Sequence, residues 1–157
     1  CSQTSSSISN TMNNQLPTPA QLNTLRLPNT VAYGFEFTGL EPFATATITQ
    51  NEHNSQHTGV IQGGVLCVLA ETLANMAAQL HVNTLKANRY VVLGQSLNTS
   101  YLKAATGIIT ATAKPLHRGK QTSVYSVEMT DCDDNLVAIS TFTGGIIKRK
   151  APYLSTF

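Results

Sequence analysis

The stretch Gln56 to Leu80, "QHTGVIQGGVLCVLAETLANMAAQL", leads from a glycine-punctuated turn into a long apolar segment carrying a single carboxylate, Glu71. Val65, Leu66, Leu69, Leu73, Met76 and Leu80 recur every three or four residues, the spacing of one broad apolar helix face. The run from about 63 to 80 is therefore expected to be a buried helix of five turns. Glu71, Asn75 and Gln79 also recur at intervals of four and make a narrow polar stripe on that helix. A solvated helix face is normally dense in Lys, Arg and Glu. From 53 to 85, however, Glu71 is the only Asp, Glu, Lys or Arg. The stripe is expected to face an enclosed cleft or another protein surface, the plainer alternative being the wet side of an amphipathic helix.

Either side of the helix the pattern is β-like. Before it, "TVAYGFEFTG" and "FATATITQ" read as two strands; in the second, Ala44, Ala46 and Ile48 alternate with Thr45, Thr47 and Thr49. After it come "YVVLGQSLNTSYLK", "GIITATAKPLH", "KQTSVYSVEMTD" and "NLVAISTFTGGIIK", separated by turn residues at 104–107, 117–120 and 131–135. A short helix is expected near 19–26, capped by Thr18, begun by Pro19 and closed by Pro28. The order of helix, two strands, long helix and four strands reads as α+β, one helix on the face of an antiparallel sheet. Residues 1–16 are small and polar without charge and read as a disordered tail, with a single domain over 17–150 and a short tail at 151–157.

The 157 residues, 41% of them hydrophobic, suffice for one core. Glu71, Thr72, Asn75 and Gln79 interrupt the longest apolar run short of the roughly 18 to 20 residues needed to cross a bilayer, so no membrane span is expected. Residues 1–85 hold one Lys or Arg against four Asp or Glu, and residues 86–157 hold nine against four. An anionic ligand would meet the second half. Its basic residues lack aromatic interleaving, so nucleic acid is not an expected partner. Cys1, Cys67 and Cys132 are odd in number without CxxC spacing, which speaks against a disulfide framework or zinc site and for the cytoplasm. Cys1 followed by "SQTSSS" leaves a mature lipoprotein terminus as a second reading.

At Gly63 and Gly64 the helix begins. Its first N–H groups have no intrahelical partner and carry the positive end of the dipole, and without side chains a substrate carbonyl can approach them closely. Such amides can hold an oxyanion, although glycines at a turn often serve packing alone.

With Gln56, the "QGG" of Gln62 to Gly64, and Glu71 eight residues after Gly63, the chain resembles the hotdog-fold acyl-CoA thioesterases, in the branch of the 4-hydroxybenzoyl-CoA and 1,4-dihydroxy-2-naphthoyl-CoA enzymes. The resemblance runs over about 20–148 and includes "LNTL", "LGQSLNTSYLKAA" and "PLHRGKQTSVYSVEMTDCDDNLVAIST". It implies a sheet wrapped around one long central helix and hydrolysis of an acyl-CoA, aryl or medium-chain, without a cofactor. It also implies a homodimer or homotetramer with active sites between subunits. On that basis Gln56 and the Gly63 backbone bind the thioester carbonyl, and Glu71 of the partner attacks it or activates water. Asn75 stands where the family has Ser or Thr, and Gln62 where relatives usually have His. His57, Gln62 and Gly64 line the substrate, while Arg118, Gly119 and Lys120 lie near the CoA phosphates or are solvated turn residues. A non-catalytic module binding acyl-CoA or an acyl carrier protein is the alternative, suggested by Gln62 and Asn75.

Three further features carry less. His53 and His57 have the spacing of helical metal ligands but sit among loop residues, so no metal is expected. "DCDDN" at 131–135 lacks the glycine and distal Glu of a calcium loop and reads as a hairpin turn. Cys67 is expected to be a buried small residue.

Overall fold

The computed structural model describes residues 16–25, 28–86 and 89–150. Of the expected tails, all but Leu16 lie outside the described residues. Thr18 accepts from the Gln21 N–H at 3.2 Å while the Gln21 side chain accepts from the Thr18 N–H at 2.7 Å, a reciprocal cap that starts helix α1, Pro19–Thr24.

Pro28 does not close a helix but opens a second one, α2, Pro28–Tyr33. Proline's fixed φ suits a first helical position as well as a stop, and "PNTVAY" has no alternation to mark its state. Gly34, at φ 71°, ends α2 and turns the chain into strand β1, Phe35–Gly39, so the first strand is shorter than "TVAYGFEFTG" suggested. Strand β2, Ala44–Thr49, follows the alternation read from sequence, with Ala44, Ala46 and Ile48 buried.

The long helix α3, Gly63–Lys86, has 24 residues and runs past the expected end at 80. By length and composition alone it could cross a membrane, which corrects the argument that its polar residues interrupt it. In the fold its apolar face lies on the sheet, with Leu69, Leu73, Ala74 and Ala78 fully buried. Strands β3 (Tyr90–Tyr101), β4 (Ile108–Arg118), β5 (Thr122–Thr130) and β6 (Leu136–Lys148) complete one antiparallel sheet in the order β1-β2-β4-β5-β6-β3. The helix packs against β2 through β6, and this wrapped arrangement is the hotdog fold. Its core joins Leu69 and Leu73 to Ile48, Ile109, Val127, Met129 and Phe142.

The loop between β2 and α3 is held by one buried amide. Asn54, 1% exposed, donates to the carbonyls of Tyr33 (3.0 Å) and Thr49 (2.9 Å) and accepts from the Asn51 N–H at 2.8 Å. Its own carbonyl accepts from the Gln62 N–H at 2.9 Å, just before α3. Asn54→Ala strands several backbone groups, each costing about 1–3 kcal/mol when left unpaired. A net loss of about 3 kcal/mol is expected, read as a lower urea midpoint at unchanged slope.

Candidate active site

Helix α3 is fastened at two points to β3, an edge strand of the sheet. Gln79 donates to the Tyr90 carbonyl at 3.1 Å and accepts from the Val92 N–H at 2.8 Å. At the other end the Tyr101 hydroxyl donates to the Gly63 carbonyl at 2.9 Å and lies 2.9 Å from the Cys67 sulfur. Cys67 also reaches Thr99 at 3.5 Å, so it is a half-buried, hydrogen-bonded residue and not the inert core residue expected. Only contacts across a sequence gap of more than 30 residues reveal this, which is why "VLCVL" read as plain core.

Between these fastenings sits Glu71. It lines a cleft of about 350 Å³ with Asn75, Gln79, Val91, Val92 and Leu93. Burial pushes its carboxyl above the ordinary 4.5. Room for it comes from Gly94 on β3: a Cβ there would stand 3.2 Å from Glu71 Oε1 and 3.3 Å from the Phe142 ring. A register shift between Gly94 and Ser96 lies at the same point. Asn75, one turn after Glu71, has its Oδ1 buried without a hydrogen-bond partner. A buried acceptor in that condition is costly, and a donor on a ligand or attacking water would relieve it.

A second cleft, about 470 Å³, opens at the N-terminus of α3, where Gln56, Gly63, Leu66 and Tyr101 line it. The Gln62 carbonyl accepts from Val65 N–H at 2.9 Å, whereas no described group accepts from the N–H of Gly63 or Gly64. A Cβ on residue 63 would stand 2.9 Å from the Tyr101 ring. Burial, then the Cys67 contact, push the Tyr101 hydroxyl up to about 12, so it remains a neutral donor.

Within one chain these two groups of residues are not brought together. Glu71 follows Gly63 by eight residues, roughly 12 Å along the helix axis. Gln56 and Gly63 share one cleft; Glu71 and Asn75 share the other. Gln62, Gly64 and His57 are exposed around the start of α3. Arg118 lines a third cleft, and the Lys120 carbonyl accepts from Lys86 Nζ at 3.0 Å at the turn between β4 and β5. Gly94 and Tyr101 escaped the sequence reading. A glycine inside "VVLGQSLNTSY" is the one sign that something approaches β3 closely.

The sequence matches the profile of the thioesterase superfamily over residues 58–138. It is 37% identical over 122 residues to a Mycobacterium tuberculosis protein described as a candidate esterase, an alignment covering 76% of this chain and 86% of that one. It is 33% identical over 104 residues to the 1,4-dihydroxy-2-naphthoyl-CoA hydrolase of Listeria monocytogenes, covering 66% of this chain and 80% of that one. Among solved structures, a thioesterase from Haemophilus influenzae superposes with a TM-score of 0.81 at 25% identity, over 89% of this chain and 97% of that one.

The raised Glu71 carboxyl has a consequence for stability. The folded state favours the protonated form, so stability is full below the ordinary value of 4.5 and declines as pH rises through the folded one. Glu71→Gln removes the charge at constant shape. The variant is expected to be at least as stable as wild type at pH 7.5, with the difference gone at pH 4, as read by urea denaturation at both pH values.

Proposed function

The chain belongs to the thioesterase superfamily and is a thioester hydrolase, and from that premise we propose that it cleaves an aryl or medium-chain acyl-CoA with Glu71 as the reacting carboxylate. The observation that carries this reading is the placing of Glu71, a half-buried acid of raised basicity with no ion-pair partner among the described residues, beside the unpartnered Asn75 Oδ1. The name of the Listeria relative, a hydrolase of an aryl-CoA, supports the substrate class.

The chemistry follows from where the polar groups lie. The Gln56 amide and the uncommitted N–H groups of Gly63 and Gly64 are donors for the thioester carbonyl oxygen. With the C=O so polarised, water attacks the carbonyl carbon, gives its proton to Glu71 and is oriented by Asn75 Oδ1. The C–S bond then breaks, and the departing thiolate takes up the proton. Direct attack by the carboxylate, forming a mixed anhydride that water then cleaves, uses the same residues. Gln62 presents an exposed amide at the position where the resemblance has His.

The roughly 12 Å between Gly63 and Glu71 supports a site shared by two copies, the carbonyl donors of one facing the carboxylate of the other. The 12-residue strand β3 supports it too: its outer edge pairs with no described strand, and long free edges are normally covered. We therefore read the active form as a homodimer or dimer of dimers. Free thiols at Cys67 and Cys132 fit a cytoplasmic setting.

Thiol release from a panel of aryl and aliphatic acyl-CoAs tests the assignment. Glu71→Gln should lose on the order of 10²- to 10⁴-fold in kcat while still binding acyl-CoA. Gln56→Ala should lose less, and the exposed Glu52→Gln almost nothing. Near wild-type turnover by Glu71→Gln would remove Glu71 from the mechanism. Sedimentation at micromolar protein should show a dimer or larger, and an active monomer would end the shared-site reading.

A further inference from the structure

A third cleft, about 210 Å³, lies between the C-terminal half of α3, the turn joining β1 to β2, and strands β4 and β5. Leu40, Phe43, Leu80 and Pro115 give it apolar walls, and Leu16 borders it ahead of α1. Its polar side chains are His81, Arg118, Tyr125, the rim carboxylate Glu41 and Thr84, whose hydroxyl donates to the His81 carbonyl at 2.7 Å.

Arg118 is an exposed residue at the mouth of this cleft, fastened at one point. Its Nε donates to the Tyr125 hydroxyl at 3.0 Å, and its guanidinium carbon lies 5.7 Å from the centroid of that fully buried ring. One of the five guanidinium N–H groups is thereby used, leaving the terminal nitrogens open to a ligand or to water. Arg118 makes no ion pair with a described carboxylate, Glu41 included. His81, lowered by burial and then by Arg118, is uncharged at neutral pH and adds no second cation.

We infer that this cleft binds a small monocarboxylic acid with a compact ring or branched apolar body, its carboxylate on Arg118 and its body among Leu40, Phe43 and Leu80. A cavity of about 150 Å³ accepts benzene, so one of about 210 Å³ holds a ring with its carboxylate. One guanidinium matches one carboxylate, and Glu41 on the rim discriminates against polyanions. His81 stands ten residues beyond Glu71, roughly 15 Å along the axis, so an acid held here does not touch that carboxylate. The inference goes beyond the proposed hydrolysis. Where that reading also holds, the acid released by turnover belongs to the class this cleft takes.

The other anion that Arg118 could meet is the CoA nucleotide, and the experiment separates the two. Benzoate, benzyl alcohol and 3′,5′-ADP are each titrated into the full chain by calorimetry and by ¹H–¹⁵N NMR, without any activity measurement. Benzoate is expected to shift amides at 40–44, 77–84 and 113–118 equally in wild type and Glu71→Gln. Benzyl alcohol should bind at least about tenfold more weakly, and Arg118→Gln should weaken benzoate by at least about tenfold. Leu16→Glu, which puts a carboxylate in the wall from an exposed position, should weaken it without touching the guanidinium. The inference is overturned if benzoate fails to bind at millimolar concentration, if its shifts cluster around 63–76, or if 3′,5′-ADP occupies the cleft and benzoate does not.

Discussion

The grip of β3 on α3 is what the site depends on. A helix lying on a sheet by apolar contact alone is free to slide and roll by small amounts, because dispersion and hydrophobic burial are non-directional. Gln79 with Tyr90 and Val92 at one end, and Tyr101 with Gly63 at the other, supply direction. Between those points the register of helix against strand is fixed, and Glu71 is therefore held opposite Gly94 and nowhere else. The same hydrogen bonds draw on the polar stripe: of its three members Gln79 is spent on structure, while Glu71 and Asn75 line the cleft.

Keeping a carboxylate half-buried without an ion pair works against stability, and the fold offsets it elsewhere. The core residues Leu69 and Leu73 flank Glu71 on the apolar side of the same helix and are fully buried. Asn54 performs a related task at the N-terminal end of α3, tying α2, β2 and the loop bearing Gln56 to the start of that helix. Well-packed and hydrogen-bonded anchors thus bracket the half-buried carboxylate.

Much of this was legible in the residues. Alternation in "ATATIT" survived folding because one face of β2 lies on the core, and β5 shows the same alternate burial, whereas β3 buries Val92 alone. Helix α3 was legible for the same reason. Pro28 was not, since proline both ends and begins helices and only the following turn decides. Glu71 stood out as a lone charge, and Gly63 by its place before the apolar run. Tyr101 and Gly94 could not be placed, because what they touch lies across a gap in sequence that only the sheet order closes. Arg118 was singled out, yet its company, Tyr125 and His81, comes from two other elements.

The contact between Tyr101 and the bare Cα of Gly63 also restricts how this lineage can vary. Any side chain at 63 would run into the tyrosine ring, 2.9 Å from where its first carbon would sit. An alanine there is accommodated when the half-exposed tyrosine ring swings aside, and that movement gives up the hydroxyl's hydrogen bond to the Gly63 carbonyl. A side chain at 63 is thus felt at 101 through the loss of that hydrogen bond, which couples the two positions. Glycine at 63 and tyrosine at 101 therefore act as one fastening, which keeps the start of the helix in place even though much of it is open to solvent.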